Sequence, residues 1–136
     1  MFGASKRRVA APDVELHALL AIADRGCELQ DRAEAVLRGC AGPDRPDTDL
    51  AREGGYVAGE YHRLHGWAVD TPSPDAARVA QLLMGHCQLV HHAVRLAFPR
   101  SGHRTETHRR AISPDLGDPA GQLRARRDEL ARRIEG

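Results

Sequence analysis

The eight prolines of this 136-residue chain divide it more firmly than any other feature. An interior proline removes a helix hydrogen bond and clashes with the preceding turn, at a cost of about 3 kcal/mol or more. Pro12, Pro43, Pro46, Pro72, Pro74, Pro99, Pro114 and Pro119 therefore mark helix starts and stops, and the stretches between them carry apolar residues at helical spacing. The first stretch runs from Asp13 toward Gly39 and Gly42. Leu16, Leu20, Ala23 and Cys27 lie on one side of it, and Leu19, Ala33, Leu37 and Cys40 widen the stripe. The second is capped by Asp47 or Thr48 and reaches about Asp70, with Leu50, Val57, Tyr61, Leu64 and Ala68 facing inward. The third is capped by Ser73, has Pro74 at its first position, and extends to about Phe98 on Val79, Leu83, Val90, Val94 and Ala97.

Only 4% of the residues are aromatic, so the core is built from Leu, Val and Ala, which suits packed helices better than a β-sandwich. The fold class expected is all-α: an antiparallel three- to four-helix up-down bundle in one domain. Its parts are a mobile lead-in over 1–12, a three-helix core over 13–98, a basic loop or linker over 99–118 and a C-terminal helix over 119–136. That last helix shows a thin stripe of Leu123, Leu130 and Ile134, with Asp128–Arg132 and Glu129–Arg133 pairs outside. A thin stripe closes a four-helix bundle or meets a second chain. Gly54, Gly55, Gly59 and Gly66 interrupt the second helix, each costing up to about 1 kcal/mol relative to Ala, and imply close packing of another backbone or a helix that begins only at about Tyr56.

Net charge is +1 but uneven: residues 9–94 carry seven Arg against thirteen acids, and residues 95–136 carry ten Arg against six. An acidic body with a basic tail can pair with itself in a dimer or meet an anionic partner, or it is an ordinary solvated helix face. Aromatics for base stacking are missing from the basic segment, which argues against nucleic acid. The longest apolar run, Ala18 to Ala23, is too short for a membrane span. Cys27, Cys40 and Cys87 show no CxxC spacing. Along an unbroken helix Cys27 and Cys40 stand about 20 Å apart, beyond disulfide reach, so the chain reads as cytoplasmic with reduced thiols.

Five of the eight histidines and one cysteine crowd into residues 60–65 and 85–92. Imidazole and thiolate are transition-metal ligands, and Cys87 and His91 at i and i+4 project from adjacent turns of one face. With His86 and His65 they form a candidate site for Zn, Ni or Cu. Antiparallel pairing sets residue 65 opposite residue 80, which strains any site using both His65 and His86 and makes Tyr61 or Cys27 the easier neighbour of His86 and Cys87. The alternative is a structural one: Cys87 as a small buried hydrophobe and His86 as a core histidine bonded to backbone. Glu60, Tyr61 and Trp67 form a third candidate, edging a small-molecule pocket between the second and third helices. HExxH, GxSxG, the P-loop, GxGxxG and the Glu-x-x-His pairs of di-iron bundles are all absent. The function expected first is therefore a small binding or regulatory protein without catalysis. It acts on itself or on another protein through a helical face and the basic 99–118 segment. A metal-binding protein and a pocket-bearing enzyme stand as alternatives.

Overall fold

The computed structural model describes residues 2–100 and 102–136, with side chains described from Asp13 onward apart from Ser101. These residues form six helices in order: α1 (Phe2–Glu28), α2 (Gln30–Ala41), α3 (Thr48–Val69), α4 (Ala76–Ala97), α5 (Glu106–Arg110) and α6 (Asp118–Glu135). Among the described residues there is no strand. The mobile lead-in expected over 1–12 lies outside the residues whose side chains are described, although the backbone of α1 begins at Phe2 rather than at Pro12. No described helix is long and apolar enough to cross a membrane.

The first helix is two. At Leu29 the backbone stays right-handed (φ −78°, ψ −12°) and Leu29 N still donates to Arg25 O, yet the helix divides there. The cause lies one turn earlier: Tyr61 Oη, from α3, donates to the Gly26 carbonyl at 2.8 Å. A side chain inserted at the carbonyl ladder is one of the few recognised sources of a helix break. Gly26 serves a different contact, the close seating of Leu83 and Leu123: a Cβ there would lie 2.7 Å from Leu83 Cδ2 and 3.1 Å from Leu123 Cδ2, but at an ordinary 3.8 Å from Tyr61 Cε1.

Helix α3 runs back along α1 and α2. Leu50 packs over Gly39, Arg32 pairs with Glu53 at 2.7 Å, and Arg25 reaches Glu60 at 3.4 Å. Asp47 caps it, its carboxylate accepting from Leu50 N at 3.1 Å. Helix α4 turns back against α3, with Val94 abutting Gly54 and Cys87 touching Ala58. The 58–87 contact lies on the register that sets 65 opposite 80. Helix α6 crosses α1 and α4, burying Ala120, Leu123 and Leu130.

Four local expectations are corrected. Helix α4 starts at Ala76 rather than at Pro74. Ser73 Oγ accepts from Asp75 N within the preceding turn, and the Asp75 carboxylate is taken by Arg133 at 2.8 Å. That pairing and the Arg127 pairs with Asp128 and Asp24 replace the Asp128–Arg132 and Glu129–Arg133 pairs. Of the four glycines in α3, only Gly54 is closely packed, while a Cβ at Gly55, Gly59 or Gly66 would meet nothing within 4 Å. Finally, 99–118 is not a structureless connection. It contains α5, opened by a capping box between Thr105 and His108, and it buries Ile112 and Leu116 in the core.

Arg104 explains how that segment docks. Its guanidinium donates to Cys40 O at 2.6 Å, Gly42 O at 2.8 Å, Pro43 O at 3.1 Å and Asp44 O at 3.0 Å. These carbonyls lie at and beyond the C-terminus of α2, where unpaired oxygens and the negative dipole end favour a cation. Leu116 N then donates to Glu34 at 3.2 Å and fixes the far end of the segment.

Candidate functional site

His86 is fully buried where α2, α3, α4 and α6 meet. Its Nδ1 lies 2.7 Å from the Leu82 carbonyl, which can only accept, so Nδ1 carries the hydrogen. In the neutral ring Nε2 is then an acceptor, and Gln30 Nε2 donates to it at 3.2 Å. The second Gln30 N–H goes to Ala120 O at 3.1 Å, and Gln30 Oε1 accepts from Arg124 at 2.9 Å. The opposite amide orientation would turn Gln30 Oε1 against a ring lone pair and a carbonyl, so the network defines a single arrangement. Tyr61 completes it, its ring centroid 5.1 Å from that of His86. Burial holds the His86 pKa below its usual value and raises that of Tyr61. Among the described residues no buried side-chain nitrogen or oxygen lacks a partner.

That arrangement bears directly on the metal candidates. Both His86 nitrogens are occupied, which leaves no lone pair for an ion while the network stands. Cys87 is half-buried and donates its thiol hydrogen to Ala58 O at 3.3 Å, and burial pushes its pKa up, away from the thiolate a metal requires. His91 is exposed on the outer side of α4. His65 stacks on His62, with ring centroids 6.5 Å apart. Among the described residues no three His, Cys, Asp or Glu side chains are placed to share an ion.

Glu60, Tyr61 and Trp67 do not converge either. Tyr61 is core. Glu60 holds Arg25 and Arg63 at the surface, both at 3.4 Å, and Trp67 is 53% exposed. All three cysteines are free, and burial raises each thiol, Cys40 to about 11.

The open concavities lie elsewhere. One, of about 620 Å³, surrounds the α2–α3 loop and mixes Arg38 and Arg45 with Asp44, Asp47 and Glu53. Two others, of about 420 and 810 Å³, adjoin along the C-terminal half of α4 and share His91, His92 and Arg95. Leu89 lines the first, and Leu96, Phe98 and Arg100 line the second. His92 and Arg95 fall outside the core stripe of α4, but the sequence alone does not show the groove. Its apolar members sit at the flank of the core stripe, and only the packed α4 shows them left half-covered. Compared with known proteins, the chain matches no family model, no curated protein and no solved structure.

Proposed function

We propose that this chain is a non-catalytic helical module, an up-down bundle of α1–α2, α3, α4 and α6, that binds a partner protein through the outer face of α4. One observation carries the reading. The interior polar groups are matched to one another, whereas His91, His92, Arg95 and Arg100 around the α4 groove make no hydrogen bond or ion pair among the described residues. A saturated buried histidine and thiols pushed toward the neutral form favour a scaffold over an enzyme. Reduced cysteines fit a cytoplasmic protein.

The test is site-specific photocrosslinking in the producing cell, with a benzophenone amino acid at His92 and, as control, at Ala125 on the exposed side of α6. A covalent protein adduct from position 92 and none from 125 supports the reading. Absence of any adduct at 92, with both proteins expressed and folded, overturns it.

A further inference from the structure

The partner's chemistry can be read from what lines the groove. Between Asp75 and Glu106 the chain contains no Asp or Glu at all, and α4 lies wholly inside that interval. The C-terminal half of α4 packs against the start of α3, Val94 on Gly54, and the acids there have other partners: Asp47 caps α3, Asp49 pairs with Arg52 at 3.4 Å, and Glu53 pairs with Arg32; among the described residues no ion pair reaches Arg95 or Arg100. No carboxylate therefore answers Arg95 and Arg100. Beneath them Leu89, Leu96 and Phe98 are half-buried, giving the groove an apolar floor and a rim of one sign.

Resting on the reading just given, we propose that this groove takes an acidic amphipathic peptide segment of a partner protein, apolar side chains down and carboxylates toward Arg95, Arg100 and His92. From Gly85 to Ala97 the α4 axis rises about 18 Å, which matches about twelve residues of a helical ligand. Arginine at such a rim meets carboxylates bidentately and, left solvent-exposed, governs association rate and salt dependence. Nucleic acid fits less well, since the groove presents no exposed Phe, Tyr or Trp for stacking. A membrane surface fits less well too, because the exposed large apolar residues Val14, Tyr56, Trp67 and Val69 lie on other elements.

The probe is a fluorescein-labelled synthetic peptide of about fourteen residues, with Leu at i, i+3, i+4 and i+7 and Glu elsewhere, followed by fluorescence anisotropy against the full chain. Three companion peptides carry Gln for Glu, Lys for Glu, or Ser for Leu. The proposal expects saturable binding of the Glu–Leu peptide and at least tenfold weaker binding of each companion. It expects a further tenfold loss for the chain carrying Arg95→Glu and Arg100→Glu, whose helicity and thermal midpoint remain those of the parent. Equal binding of the Lys and Glu peptides would overturn it. So would no saturation by the Glu–Leu peptide up to about 1 mM, or tighter binding of single-stranded DNA or anionic phosphatidylserine vesicles. A crosslink at position 92 combined with failure of the acidic peptide would sink this inference alone and leave the binding-module reading standing.

Discussion

Gln30 Nε2 stands 3.2 Å from His86 Nε2, and that contact joins the start of α2 to the middle of α4 across fifty-six residues of sequence. His86 is tied once more and Gln30 twice. His86 is held by Leu82 O, and Gln30 by Ala120 O and Arg124. Replacing Gln30 by Leu strands the buried His86 lone pair and takes from the Ala120 carbonyl its side-chain donor, leaving that oxygen its place in the α6 ladder. The expected loss, measured by urea denaturation, is about 1–3 kcal/mol. The double variant Gln30→Leu, His86→Leu should lose clearly less than the sum of the two single variants, because it removes both ends of the unmet bond. Additive losses would show that the two residues are not coupled.

The same burial predicts a pH dependence with a definite sign. The folded protein holds His86 neutral, with Arg124 of α6, Glu34 of α2 and Tyr61 of α3 as its ionisable surroundings. In the unfolded chain it titrates near its ordinary 6.5. Between the depressed folded value and 6.5 the unfolded state binds more protons, so stability is whole above that pH and declines as pH falls below it. Glu106, held low by Arg109, adds its own loss only below about 4.5. Denaturation midpoints should therefore fall between about pH 6.5 and 5 in the parent. They should stay flatter there in His86→Leu. An identical slope in both proteins would remove His86 as the source.

Glycine substitutions should divide by sign. Gly26→Ala drives a Cβ into Leu83 and Leu123, and Gly54→Ala into Val94 and Val36. Overpacking of this kind costs about 1–3 kcal/mol. Gly55→Ala, Gly59→Ala and Gly66→Ala meet nothing and remove a helix penalty, so each should stabilise by up to about 1 kcal/mol. Thermal unfolding of the five single variants checks this. Stabilisation at Gly26, or destabilisation at all three open sites, would contradict the packing described.

How much of this was legible in the chain depends on which residues carry it. Proline placement and the 3.6-residue stripe read the core faces of α3 and α4 correctly, because Val57, Tyr61, Leu64, Val79, Leu83 and Val90 follow a local periodicity. The register of α3 on α4 was readable too, since the short 70–75 connection leaves little freedom. Gln30 was not. It sits in the highly charged run Asp24–Glu34, and only the arrival of His86, Ala120 and Arg124 from distant positions makes it a core residue. The break at Leu29 escaped notice for the same reason, its cause being Tyr61 on another helix. Crowded histidines suggested a shared ligand, but the neighbours His86 and Cys87 diverge by about 100° on the helix, and His91, one turn beyond Cys87, lies exposed.

Arg104 offers the sharpest test of how the 99–118 segment is ordered. Nothing in its sequence neighbourhood of Arg100, His103, Arg109 and Arg110 sets it apart, yet among these five residues it is the one that reaches four carbonyls at the end of α2. Arg104→Ala would return those oxygens to solvent where they are exposed and strand them where they are not, at a cost of about 1–3 kcal/mol. Arg104→Lys keeps the charge at the dipole end but offers one ammonium in place of a planar fork, so it should recover less than half of the loss. Amide hydrogen exchange gives the readout that separates local from global effects. In Arg104→Ala, residues 102–112 and the last turn of α2 should exchange much faster, while the middle of α4, held by His86 and Gln30, keeps its protection. Unchanged exchange in both regions would mean that the buried Ile112 and Leu116, rather than the guanidinium, hold the segment in place.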